Sequence, residues 1–297
     1  MASRPAPHRA RKRFGQNFLR DRGVISSIVR AIGPRPGERL VEIGPGQGAL
    51  TEPLIEATDG HLEVIELDRD LIPGLRVQFF NQPGFVIHEG DALTFDFRAL
   101  RGDGPALRVV GNLPYNISTP LITHLLEAGD AVADMHFMLQ QEVVERLAAP
   151  AGDAQRGRLS VLAQYYCRVE SLFSVPPEAF VPRPKVVSAV VRLTPHETLP
   201  HPARDEALLF TVVREAFGQR RKTLRNNLKT RVDDAVFAAL DIDPGRRPQT
   251  LSVEEFVRIA DHLASRENAG QGSGSQEGSD QKSSWQQERY SDQERKS

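Results

Sequence analysis

Leu40-Val41-Glu42-Ile43-Gly44-Pro45-Gly46-Gln47-Gly48 is the stretch that sets the architecture: a short apolar run ending in a turn with glycine at every second position. It reads as a strand and a tight loop, with a helix following from Ala49. Working outward, Leu62–Ile65, Phe85–Ile87, Leu107–Val110 and Met135–Leu139 repeat the theme of a strand-like run that stops at polar residues. Amphipathic stretches separate them, so the region from about Arg39 to Leu193 predicts an α/β sheet with crossover helices. The apolar runs around Leu162–Phe173 and Val186–Leu193 complete that sheet as an antiparallel pair. Upstream, Val24, Ile25, Ile28, Val29 and Ile32 mark one face of a helix that stops before Pro34 and packs on the sheet.

After the proline-spaced segment Thr194–Pro202 only helical patterns remain, over Leu208–Phe217, Lys222–Lys229, Ala235–Leu240 and Val253–Leu263. From Arg266 onward Gly, Ser, Gln, Glu and Lys dominate, too few apolar groups to offset the entropy of ordering. The expected organisation is a basic segment with a packing helix over 1–38, a sheet domain over 39–195, a smaller all-helical domain over 196–265 and a disordered tail over 266–297.

A hydrophobic share of 39% and a charged share of 26% are those of a soluble globular chain, which excludes a fibrous or wholly disordered class. The single cysteine, Cys167, excludes an internal disulfide and a cysteine-pair zinc site, and the histidines form no His-Glu-x-x-His pattern, so no metal is expected. No run approaches the roughly 18 apolar residues of a membrane span, and a reducing, cytoplasmic setting is expected. Nothing in the pattern demands a dimer, so a monomer is expected. The net charge of −1 hides two basic segments. Residues 1–30 carry a net +7, and residues 214–231, with Arg220, Arg221, Lys222 and Arg225, carry a net +6. Nucleic-acid binding follows local rather than total charge, so both are candidate phosphate contacts; solvated faces, or for the first a transit peptide, are the alternatives.

The glycine loop Gly44–Gly48 lets backbone approach a ligand, and a carboxylate at the end of the next strand, Glu66, can hold the two hydroxyls of a ribose. Together they point to an adenosine-containing cofactor. Gly44-x-Gly46-x-x-Ala49 also fits the relaxed dinucleotide fingerprint, which keeps NAD open. Asp91, after the third strand, can accept from an adenine amine or cap a helix. The more discriminating motif is Asn112-Leu113-Pro114-Tyr115, directly after the fourth strand. An adenine amine is a poor nucleophile because its lone pair is delocalised into the ring. Hydrogen bonds from it to the Asn112 side-chain oxygen and to a backbone carbonyl near Leu113 draw the nitrogen toward tetrahedral geometry. Pro114 stiffens the turn, and Tyr115 offers a ring for a splayed-out base, worth about 1–3 kcal/mol.

Taken together, these motifs resemble the small-subunit rRNA adenine dimethyltransferases, which convert two adjacent adenines near the 3′ end of 16S rRNA to N6,N6-dimethyladenosine. The likeness runs from Arg11 to about Leu263. It is carried by Arg11–Leu19, Val41–Gly46, Ile65–Asp68, Gly111–Ser118, Phe137–Gln140, Gly157–Ser160, Val175–Val191 and Phe217–Asn226. The resemblance implies a Rossmann-like methyltransferase sheet with S-adenosylmethionine as methyl donor, and 16S rRNA in the small ribosomal subunit or its precursor as partner. It implies that Asn17 and Leu19 join Gly44, Gly46, Glu66, Asp91 and Asn112 in holding the donor, and that Tyr115 and Phe180 sandwich the target adenine. The family's Pro-Pro-Pro-Lys element stands here as Pro182-Arg183-Pro184-Lys185. Only ten residues precede Arg11, short for a transit peptide, so bacterial cytoplasm is expected. The related large-subunit rRNA adenine methyltransferases share the cofactor motifs, but the Asn116–Pro120 continuation and the Phe217–Asn226 segment favour the small subunit. A ribosome-assembly factor with no essential catalysis, or an NAD-dependent oxidoreductase, leaves Asn112–Tyr115 without a purpose.

Overall fold

A computed structural model describes residues 17–114 and 117–270, and the chain divides into two units, Met1–Pro200 and His201–Ser297. In the first unit the element order is β1 (Phe18–Leu19), α1 (Arg22–Ile32), β2 (Leu40–Ile43), α2 (Thr51–Ala57), β3 (Leu62–Glu66), α3 (Ile72–Gln78), β4 (Phe85–Glu89), α4 (Phe97–Arg101) and β5 (Leu107–Asn112). It continues with α5 (Ser118–Glu127), β6 (Val132–Gln140), α6 (Gln141–Ala148), α7 (Arg158–Tyr166), β7 (Cys167–Val175), β8 (Phe180–Val181) and β9 (Ser188–Pro195). Seven strands form one sheet in the order β4-β3-β2-β5-β6-β9-β7, with the first five parallel and the last two joins antiparallel. Every residue of β2 is buried, the signature of a parallel strand covered on both faces.

One face packs Val41, Ile43, Val109 and Phe137 against Phe97, Leu121, Leu125 and Leu159, from α4, α5 and α7. The other packs Leu40, Val64, Val110 and Met138 against Ile28 and Ile32 of α1, Leu54 of α2 and Leu75 of α3. The sequence order turns back at β2, which has β3 on one side and β5 on the other, and such a switch point opens a crevice at the carboxyl ends of the strands.

Helix α1 starts where Asp21 accepts from the Val24 amide at 2.9 Å and ends at Gly33, whose φ of 56° suits glycine. Its last carbonyls are gripped from the sheet: Arg108 donates to Ile32 O at 2.6 Å while pairing with Glu38 at 2.5 Å and with Asp134 at 3.0 Å. Burial opposes the Asp134 charge, yet His136 and Arg108 beside it hold its carboxyl below the usual carboxylate range.

Two boundaries depart from the sequence reading. The run Leu162–Phe173 is not one strand: Leu162–Tyr166 closes α7 and the strand begins at Cys167. Ser160 accepts from the Gly157 amide at 2.9 Å, which starts a helix that buries Leu159, Val161, Ala163 and Tyr165, and an apolar run continuous across the junction conceals the change. A two-stranded ribbon, β1 with β8, was not anticipated at all; it pairs Leu19 with Phe180 and Phe18 with Val181.

The second unit holds α8 (Glu206–Ala216), α9 (Leu224–Asn227), α10 (Asp234–Ala239) and α11 (Val253–Gly270). Leu209, Val212, Phe237, Phe256 and Ile259 are its buried apolar centre. Ser252 and Glu255 cap α11 reciprocally, at 2.8 and 3.1 Å. The helix expected over Lys222–Lys229 shrinks to four residues. Asn227 instead turns its side-chain amide back to Ala216 O at 2.7 Å and Gln219 O at 3.2 Å, fixing the intervening basic segment as a loop. The division falls after Pro200 rather than at 195, since His196 is still bound to Tyr166 O at 2.9 Å. The disorder expected from Arg266 is corrected for 266–270, where α11 continues, because extending a packed helix costs little once it is nucleated. The rest of the expected tail and the basic residues before Asn17 lie outside the described residues.

Replacing Arg108 with Met strands Asp134 without its cation and frees the end of α1. The urea midpoint of the sheet unit is expected to fall by the equivalent of about 3 kcal/mol, and an unchanged midpoint would refute the latch.

Candidate active site

The chain leaves β2 through three residues at positive φ, Gly44 at 66°, Gly46 at 60° and Gly48 at 80°, a path that side chains rarely follow. The Gly44 amide donates to Ile65 O at 2.9 Å, holding the loop against β3. At the end of β3, Glu66 accepts from the Asp68 amide at 2.7 Å and from the Gly46 amide at 3.3 Å. Burial pushes its carboxyl above the ordinary range, against these backbone bonds, which favour the charge.

Asp91 follows β4 and caps no helix. It accepts from the Leu93 amide at 2.9 Å in a tight turn, with its carboxylate on the wall of the crevice.

Asn112 is the last residue of β5. Its amide nitrogen donates to Asn17 O at 3.1 Å, which orients the group and leaves Oδ1 as the atom it can offer as an acceptor. The next amide, of Leu113, donates to Met138 O at 3.2 Å, while the Leu113 side chain is 1% exposed and belongs to the core under α5. What Leu113 brings to the crevice is therefore its backbone.

The strap Asn17–Arg20 closes the crevice from above. Arg20 donates to Gln47 on the glycine loop at 2.7 Å and, through its amide, to Ala179 O at 2.8 Å, next to β8. A Cβ on Gly46 would stand 3.3 Å from the Phe18 ring, so strap and loop lie in contact.

Asn17, Leu19, Gly44, Gly46, Glu66, Asp91, Asn112 and Leu113 thus border one cavity of about 230 Å³. Two expected residues are not on its described wall. Tyr115 lies outside the described residues. Phe180 is 3% exposed and packs with Leu19, Val175 and Val190, holding the strap through the β1–β8 pairing.

The sequence reading missed two wall residues, Glu42 and His136. Each is a polar residue flanked on both sides by apolar ones within a strand, Val41 and Ile43 for Glu42 and Met135 and Phe137 for His136, which was the available signal. Glu42 is 2% exposed and accepts from Thr51 Oγ1 at 2.6 Å beneath the loop, and burial, only partly offset by that bond, pushes its carboxyl up to about 8. Among the described residues no cluster of His, Cys, Asp and Glu could hold a metal ion, and no helix is long and apolar enough to cross a membrane.

A sheet of this order with its switch-point crevice defines the Rossmann-like methyltransferase class, and solved structures agree on the fold. A dimethyladenosine transferase from Plasmodium falciparum aligns at a TM-score of 0.69 with 24% identity, covering 85% of this chain and 98% of that one. The 23S rRNA methyltransferase ErmE aligns at 0.66 with 25% identity, covering 84% and 100%. Within that class the chain belongs to the ribosomal RNA adenine dimethylase family, whose sequence model matches residues 7–265. It is 74% identical over 268 residues to the ribosomal RNA small subunit methyltransferase A of Chromohalobacter salexigens, spanning 89% of this chain and 95% of that one. The protein of the same description from Pseudomonas aeruginosa is 62% identical over 257 residues, spanning 86% and 96%.

Between its unfolded value near 4.5 and its folded value of about 8, Glu42 ionises in the unfolded chain but not in the folded one. The fold therefore loses stability as pH rises through that window, at up to about 1.4 kcal/mol per unit. Glu42→Gln is expected to be increasingly more stable than the parent from pH 5 to pH 8 in thermal melts. Parallel pH profiles would show that the buried carboxyl is already charged.

Proposed function

We propose that the cavity takes S-adenosylmethionine and that Asn112 orients the amine that receives its methyl group. As a ribosomal RNA adenine dimethylase, the chain methylates the N6 amines of two adjacent adenosines near the 3′ end of 16S rRNA to N6,N6-dimethyladenosine during small-subunit biogenesis.

The cavity suits an adenosyl donor in its own features. Glu66 presents an acceptor pair for two ribose hydroxyls, Asp91 an acceptor for the adenine amine, and the glycine loop a backbone that Gly44 and Gly46 leave open to close approach. When bound, the donor supplies an activated methyl group on sulfur.

The observation that carries the mechanism is the Asn112–Asn17 bond. With its nitrogen committed to the strap, the Asn112 amide can meet an incoming N6 amine only through Oδ1, as an acceptor. A second acceptor from the backbone near Leu113 fixes the amine's other proton, and the lone pair is left facing the methyl. Positioning supplies much of the rate enhancement, and the cationic amine can lose its proton to water without a dedicated base. Because each adenine is methylated twice, the second transfer leaves a single N–H for these two acceptors, and the site must take the first methyl in place of the other proton.

For the base itself we propose stacking on Tyr115 and Phe180, and since Phe180 is 3% exposed, its neighbours must give way when the base enters. In the second unit Arg220, Arg221, Lys222, Arg225 and Lys229 are exposed on and beside the loop that Asn227 shapes, a surface suited to rRNA phosphates with strong salt dependence. A 16S rRNA substrate supports action in the cytoplasm.

Methyl transfer from labelled donor to small subunits lacking the modification tests the reading. Dimethyladenosine is expected in small-subunit rRNA, absent from large-subunit controls, and at least a hundredfold slower to form with Asn112→Ala at unchanged subunit affinity. Tight subunit binding without transfer by the parent protein would make assembly its primary role.

Glu66→Gln is expected to weaken S-adenosylhomocysteine binding by roughly a hundredfold, the worth of charge-assisted bonds to two hydroxyls. In the parent protein that binding should fade as the raised Glu66 carboxyl is protonated, at a pH above the ordinary carboxylate range. Calorimetry across pH checks both, and an identical profile in the variant would acquit Glu66.

A further inference from the structure

His136 lies in the middle of β6, and its ring is 3% exposed. Among the described residues neither ring nitrogen has a well-formed hydrogen bond; Asp134 Oδ1 stands 3.5 Å from Nδ1, at most a long, weak contact. Burying a polar group without a partner costs about 1–3 kcal/mol, a cost that a methionine or leucine at this position would avoid. The ring nevertheless borders the cavity, a recess that Ile28, Met138 and Val190 also line.

Position along the sheet says what the recess is for. The strand order places Asp91 after β4, Glu66 on β3, the glycine loop after β2, Asn112 on β5 and His136 on β6. Asn112 stands opposite Met138, and Val110 opposite His136, so the imidazole lies one strand beyond Asn112 and two residues deeper. On the proposed reading of the cavity, the adenine lies at Asp91 and the ribose at Glu66. The rest of the donor then runs past the glycine loop toward β5 and β6, and it ends in an α-ammonium and an α-carboxylate.

The charges around the ring choose between these two groups. Asp134 faces Nδ1 and is itself tied to Arg108 at 3.0 Å, while Arg192, the register partner on β9, is turned to Glu170 by two bonds of 3.0 Å. A carboxylate beside Nδ1 draws the ring proton to that nitrogen, and Nε2 then presents a lone pair. A lone pair on the cavity wall accepts from an N–H group and repels a carboxylate. We propose that His136 is a donor-binding residue whose Nε2 accepts a hydrogen bond, directly or through one water, from the α-ammonium of the methyl donor. The inference rests on the reading of the cavity as the donor site.

Calorimetry separates the possibilities with three ligands: S-adenosylhomocysteine, its analogue lacking the α-amino group but retaining the carboxylate, and 5′-methylthioadenosine, which lacks the whole amino-acid end. His136→Phe keeps a planar aromatic ring, somewhat larger, and removes the acceptor; His136→Gln restores one. His136→Phe is expected to weaken S-adenosylhomocysteine about tenfold, the scale of one bond to a charged group, and to leave the other two ligands within twofold. His136→Gln should recover most of the loss. Melts of the unliganded variants should show an unchanged or raised Tm, since an unpartnered polar ring has been removed. Equal losses for all three ligands, or no loss for any, would overturn the assignment. A loss shared by the deaminated analogue would transfer the contact to the carboxylate and overturn the ammonium. Failure of the parent protein to bind S-adenosylhomocysteine would instead reject the donor site itself.

Discussion

Gly111 and Ile43 meet so closely that a β-carbon on Gly111 would stand 2.5 Å from the Ile43 carbonyl oxygen. This contact between the ends of β5 and β2 brings the two halves of the site together. Ile43 is the last residue before the glycine loop, and Gly111 is the last before Asn112, so their approach fixes the gap between the loop and Asn112 on the cavity wall. Any side chain at 111 would have to push the strands apart at the point where the crevice opens. The parallel register that pairs Glu42 with Val110 continues directly into this contact.

Around it, the molecule accepts local costs that a purely structural sheet would avoid. Glu42, Glu66 and His136 are polar groups at 2%, 6% and 3% exposure, the first two at or near the carboxyl ends of β2 and β3 and the third in the middle of β6, and all border one cavity. Burial raises the carboxyls of Glu42 and Glu66. Hydrogen bonds from Thr51, Asp68 and Gly46 recover part of the cost. Strained or unsatisfied positions gather where a ligand can complete them.

The strap is the second device. Asn17–Arg20 is joined to the sheet by the Asn112 bond, to the loop by Arg20–Gln47 and to β8 by backbone pairing. Strap and strand β5 are therefore tied together at the cavity wall, and Asn112 is the residue that ties them: its side-chain nitrogen donates to Asn17 O. Phe180 enters this scheme through the strap, packed beside Leu19.

Local pattern was enough to place the strands β2 to β6, the glycine loop, helix α1 and the Asn112 turn, because period and glycine placement are properties of neighbours along the chain. The same reasoning lost the α7–β7 junction, where one apolar run serves two conformations, and the Lys222–Lys229 segment, where Asn227 trades helix for a loop through bonds to Ala216 and Gln219. The sequence by itself determined which residue types stand at the strand ends and, through so many ordered motifs, the family to which they belong. Only the tertiary structure decided that the Asn112 side-chain nitrogen is bound to Asn17 O, that Glu42 and His136 border the cavity, and that Phe180 packs beside Leu19 of the strap. Each of these depends on a partner tens of residues away, and distance along the chain carries no information about which atoms a fold will bring within 3 Å.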